Sequence, residues 1–189
     1  MLNLYQKVQK IESLQAEADR ATASFKKRYH VDCIEHCAEC CKYNQIEANP
    51  LEFLPLAWHY YKIGQLEQLF ERVSNWNSMQ CVFSVIDKDK WGCSVYPTRG
   101  MICRLFGFSS VMDKTGKPNF ACCHTLKVAQ PEKMKCICEK VHNCGKTSII
   151  SNFYQRLSDI DFGFEQEMVP INQAIKEACE IVFNHVGYK

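Results

Sequence analysis

A chain of 189 residues, 47% apolar and 23% charged, has the make-up of one globular domain able to bury a core without cross-links. Its net charge of +2 gives no field for nucleic acid or an acidic surface, and no apolar run reaches the length of a membrane span. Residues 1–15 lack the apolar segment of a signal peptide. The expected compartment is therefore the cytoplasm, where thiols stay reduced.

Leu4, Val8, Ile11, Leu14, Ala18, Ala21 and Phe25 recur at steps of three and four, the stripe of a long amphipathic helix. The stripe is expected to pack on its own domain; the alternative is an unknown protein partner docked on this helix. Residues 43–48 alternate weakly, as a short strand would. Asn49-Pro50 is a helix start, with Leu51, Leu54, Trp58 and Tyr61 on the apolar face and Gly64 at the end. Leu66, Leu69, Phe70 and Val73 mark a second, short helix. Residues 81–96 read as β structure around the polar turn Asp87-Lys88-Asp89-Lys90, and 105–112 as a further strand that returns through 119–122. From Pro131 to Gly145 the cysteines suggest an irregular stretch. Ile149, Ile150, Phe153, Leu157 and Ile160 mark a helix, and Pro170 opens the last one.

Thirteen cysteines stand out against this ordinary background. An odd number in a reducing compartment fits a disulfide framework poorly and leaves metal or redox chemistry. Cys33-x3-Cys37-x2-Cys40-Cys41 is followed by Cys81 and by Cys93-x9-Cys103. Short spacings let one loop aim several thiolates at one ion. Seven or eight thiolates exceed the four of a single zinc site or cubane, which implies two sites or shared sulfurs. His36 and His124 adjoin the cysteines and are read as exposed, the alternative being that either replaces one ligand. Cys136, Cys138 and Cys144, with His142, form a possible further ligand group, whereas Cys179 sits on an apolar helix face and reads as a core residue. Gly145-Lys146-Thr147 fails as a phosphate loop, because Lys140 stands where the first glycine is required.

The full pattern, with Phe83 after Cys81 and with Tyr96, Arg99 and Arg104 around the last pair, resembles the CxxCxxCC zinc- or iron-chelating family of the YkgJ type. Gly100 departs from it, standing where that family usually has proline. The flagellin lysine methylases (FliB), linked to an iron–sulfur cluster, are distantly similar in the same region. The resemblance implies metal held by Cys33, Cys37, Cys40, Cys41, Cys81, Cys93 and Cys103, completed by Cys122 or Cys123. Arg99 and Arg104 then stand beside the cofactor as donors to its sulfurs, as anchors for an anion, or as plain salt bridges.

The expected fold is α+β, with terminal helices around a small irregular β centre organised by cysteine-bound metal. Residues 1–29 form the N-terminal helix, 30–145 the metal-binding region and 146–189 the C-terminal helices of the same domain. The expected function is metal binding, with an iron–sulfur cluster as cofactor and zinc as the alternative. The other readings are a structural zinc module for a partner protein and a metal-dependent modifying or redox enzyme.

Overall fold

The computed structural model describes residues 2–34, 37–42, 46–87, 90–161 and 168–187, and only the backbone of 86, 87, 90 and 91. Helix α1 (Leu4–Tyr29) opens on a capping box: the Asn3 side chain accepts from the Gln6 N–H, and Gln6 accepts from the Asn3 N–H. Its stripe is buried as expected. Leu4, Val8, Ile11, Leu14 and Ala18 enter one core, and Phe25 enters a second. Val8 and Ile11 are 1% and 0% exposed, so the face considered for a partner is covered by the protein itself.

After α2 (Glu39–Lys42) and the two-residue strand β1 (Glu47–Ala48), Asn49 caps a 3-10 turn (Pro50–Phe53) that runs into α3 (Leu54–Lys62). Residues 43–45 of the expected short strand lie outside the described residues. Leu56 and Ala57 are buried on α3 while Tyr61 is exposed, so the inner face is rotated toward the start of the helix. Helix α4 (Leu66–Ser74) follows as read. Strands β2 (Ser84–Asp87) and β3 (Lys90–Cys93) form an antiparallel hairpin in which Ser84 faces Cys93.

Two expectations fail here. Residues 101–105 form a helix, α5 (Met101–Leu105), and only Ser110–Met112 becomes a strand, β4, paired with β5 (Pro118–Phe120). The stretch expected to be irregular is helical: α6 (His124–Ala129) leads to α7 (Pro131–Cys144). Proline at the first turn, Met134, Ile137 and Val141 buried at helical spacing, and Gly145 in the left-handed cap (φ 65°) account for α7.

Helix α8 (Ile150–Ser158), strand β6 (Val169–Pro170), which pairs with β1, and α9 (Ile171–Val186) close the fold. The larger core joins α1, α3, α4, α8 and α9 around the fully buried Leu51, Leu54, Ile175 and Cys179. The smaller core joins Phe25 to Phe108, Phe120, Leu126, Met134, Ile137 and Val141. Among the described residues the fold is thus mainly helical with small antiparallel strand pairs, an α+β arrangement. No helix is long and apolar enough to cross a membrane.

Candidate metal centre

The seven diagnostic cysteines lie where these elements meet. Cys40 and Cys41 sit on α2, and Cys81 precedes the β2–β3 hairpin that ends at Cys93. Cys103 is in α5. The Cys81 N–H donates to the Cys41 carbonyl (3.1 Å), which ties the first motif to the second. Asn172, at the start of α9, brackets Cys81: its side-chain oxygen accepts from the Val82 N–H (2.9 Å) and its amide donates to the Gln80 carbonyl (2.9 Å).

Electrostatic reach maps the thiols as neighbours. Cys41 feels Cys40, Cys81 and Cys103, and Cys103 feels Cys81, Cys93 and Cys40. Cys33 feels Cys37, Cys40 and Cys123, while Cys122 feels Cys138 and Cys123. The result is a continuous chain of sulfurs with an inner set (Cys40, Cys41, Cys81, Cys93, Cys103) and an outer set (Cys33, Cys37, Cys122, Cys123, Cys138). Cys40 links the two sets. Cys41, Cys81, Cys93 and Cys103 pack on the larger core, and Cys122, Cys123 and Cys138 on the smaller one. The site therefore follows the seam between the cores.

Burial dominates the protonation of these groups. Desolvation pushes Cys33 and Cys81 up to about 11 and Cys103 well above the ordinary thiol range, and neighbouring sulfurs add to each shift. Cys93 rises for the same reason, opposed by the Val95 N–H and Arg99. Cys40 and Cys41 move apart: a hydrogen bond between their side chains lowers Cys40 and raises Cys41. Among the described residues no three Cys, His, Asp or Glu side chains already converge as a metal site. The fit lies in donor chemistry: a crowd of soft, desolvated thiols is what a zinc or iron ion needs.

The two arginines differ. Arg104 is a buried strut. Its Nε donates to the Arg99 carbonyl (3.0 Å), one terminal nitrogen to the Pro97 carbonyl (2.7 Å), and the other pairs with Asp19. Arg99 lies over the Tyr96 ring (3.9 Å to the centroid) and 3.6 Å from Asp19, within reach of Cys40 and Cys93. Beneath Cys103 stands Glu52, fully buried. Its carboxylate accepts from the N–H groups of Asn49 (2.8 Å) and Ile102 (2.7 Å) and from the Tyr154 hydroxyl (2.9 Å). Desolvation pushes it up to about 7. Gly100 is explained by this neighbour: a Cβ there would meet Glu52 Oε2 at 2.7 Å and Phe53 Cζ at 2.7 Å.

Asp19 and Glu52 were not anticipated as parts of the site, although Asn49-x-x-Glu52 is a recognisable capping box. The group Cys136, Cys138, Cys144 and His142 does not assemble. On a helix, residues two apart point to opposite sides, and Cys136, Cys144 and His142 are exposed while Cys138 turns toward Cys122. His124 is exposed, as read; His36 lies outside the described residues. Cys179 is a core residue with no exposure. A groove of about 420 Å³ between α1 and the turn at 145–148 is lined by Ala21, Arg28, Lys146 and their neighbours, and by none of the cysteines, Arg99 or Arg104.

No curated protein and no solved structure matches the chain, and the comparisons lend no support to the likeness to flagellin lysine methylases. One family model does match, over residues 32–145, more than half of the chain and the whole span of the outer and inner thiols. It describes a putative zinc- or iron-chelating domain, and on that match the chain belongs to the CxxCxxCC family.

Proposed function

We propose that the protein chelates iron as an iron–sulfur cluster, held by the inner thiols Cys40, Cys41, Cys81, Cys93 and Cys103. Cys33, Cys37, Cys122 and Cys123 are the proposed ligands of the outer set, with Cys138 beside Cys122. The observation that carries this reading is the all-sulfur donor crowd: five thiols linked through shared neighbours at the seam of two cores, with the described histidines beside them exposed. Binding requires the thiols to lose protons, and a cation is what makes that loss favourable in a desolvated site. The larger core excludes water from Cys81 and Cys103, Arg104 holds the turn before α5, and Asn172 holds both flanks of Cys81. When bound, a cluster would supply one-electron chemistry or a structural tie. Thiols available to a metal fit the reducing cytoplasm as the working location. Residues 30–145 are the metal-holding part of a single unit whose terminal helices supply the core.

Anaerobic purification tests the reading. Iron and acid-labile sulfide in comparable amounts, with a visible charge-transfer spectrum, are expected. Colourless protein with stoichiometric zinc and no sulfide would replace the cluster by zinc.

A further inference from the structure

We propose that the two arginines of the motif have been divided between two tasks: Arg104 holds the loop, and Arg99 is the positioning residue that donates its Nε–H to a metal-bound sulfur of Cys40 or Cys93. The inference rests on the metal reading above and names a residue that tunes that site.

The guanidinium of Arg104 is spent, with bonds to two carbonyls and an ion pair with Asp19. That of Arg99 is not. Its Nε is buried and finds no hydrogen-bond partner among the described residues. Among the described residues its charge is met by Asp19 Oδ1 at 3.6 Å, while Arg104 pairs with the other oxygen, Oδ2, of the same carboxylate. A buried N–H without an acceptor is uncommon and calls for a reason. The side chain is also immobilised. It is 17% exposed, stacked on Tyr96 at 3.9 Å, and its own carbonyl is gripped by Arg104. A planar donor held this way loses little freedom when an acceptor arrives. The sulfurs close enough to feel its charge are those of Cys40 and Cys93. A neutral thiol is a poor acceptor, whereas a metal-bound thiolate is a good one and carries excess negative charge. Metal loading thus supplies what the Nε–H lacks.

Cobalt(II) added to the reduced full-length chain provides the probe, since its bond to thiolate gives a charge-transfer band that reports on the sulfurs. Arg99→Gln is expected to keep the stoichiometry and the helical signal. Its affinity, measured against a competing chelator, should fall about 10–100-fold, and the band should shift. Arg99→Lys, which keeps the charge but not the planar N–H, should recover part of the affinity and leave the band shifted. Wild-type affinity and band in folded Arg99→Gln would overturn the inference while leaving the metal reading intact. If Arg99→Gln fails to fold, the lysine variant decides: an unshifted band there overturns the hydrogen bond. Failure of the wild-type chain to bind cobalt, zinc or iron at all would overturn both readings.

Discussion

Glu52 and Gly100 compete for one volume: Oε2 of the carboxylate lies 2.7 Å from the place a Cβ at position 100 would occupy. The backbone at Gly100 has φ −63°, a value that suits proline, so the obstacle is the neighbour and not the chain. Gly100→Ala and Gly100→Pro should both destabilise the fold, by about 1–3 kcal/mol as for other overpacked sites, although neither removes a thiol. Urea unfolding measures the cost. In a Glu52→Ala background the cost should shrink without vanishing, because the Phe53 ring stays in place. A cost unchanged in that background would assign the effect to Phe53 alone.

The same carboxyl makes stability depend on pH. Burial raises Glu52 from its ordinary 4.5 to about 7, so between those values the folded chain keeps a proton that the unfolded chain has released. The stability this confers is complete below about pH 4.5 and is lost as pH rises through 7. Relative to Glu52→Gln, the metal-free wild type should lose up to about 3 kcal/mol across that window. Parallel pH profiles of the two proteins would show the carboxyl to be ionised throughout.

Alkylation of the reduced, metal-free protein should follow exposure. Cys40, Cys136 and Cys144 are exposed and should react first, Cys33 should follow because desolvation and its neighbouring thiols push it up to about 11, and Cys81 and Cys179, both buried, should come last. Added zinc should protect Cys33 and Cys40 and leave Cys136 and Cys144 reactive. Mass spectrometry of the labelled peptides reads this directly, and protection of Cys136 or Cys144 would break the assignment of ligands.

How much of this was legible follows the range over which each feature is determined. The stripe of α1 and the cap at Asn49 are local, and both appear where they are read. Helix α7 was hidden because only Met134, Ile137 and Val141 mark its inner side, while its cysteines drew the eye to ligand loops. Helix α5 spans five residues, too few to show a period, and its first turn is held by Glu52 from fifty positions away. The cysteines proposed as ligands stand out in the sequence through their spacing, and the structure gathers five of them as neighbours. Asp19 was not, since it meets Arg104 across 85 positions and nothing near it in the chain signals that pairing.

Demetallation should separate the site from the core. The larger core is built from apolar side chains of α1, α3, α4 and α9, so chelation under reducing conditions should leave most of the far-ultraviolet helical signal. Hydrogen exchange should accelerate in residues 37–42 and 81–103, which the thiols tie together. Global loss of helix on chelation would instead make metal a condition of folding the whole chain.

The bracket on Cys81 has a consequence in time. Asn172 lies about ninety positions further along the chain than the residues it grips, so the ribosome releases every thiol of the motif well before the side chain that sets one of them. Any ion met by the growing chain finds loose cysteines with ordinary preferences. On the proposed reading, discrimination between metals waits until α9 has docked and Asn172 has set Cys81.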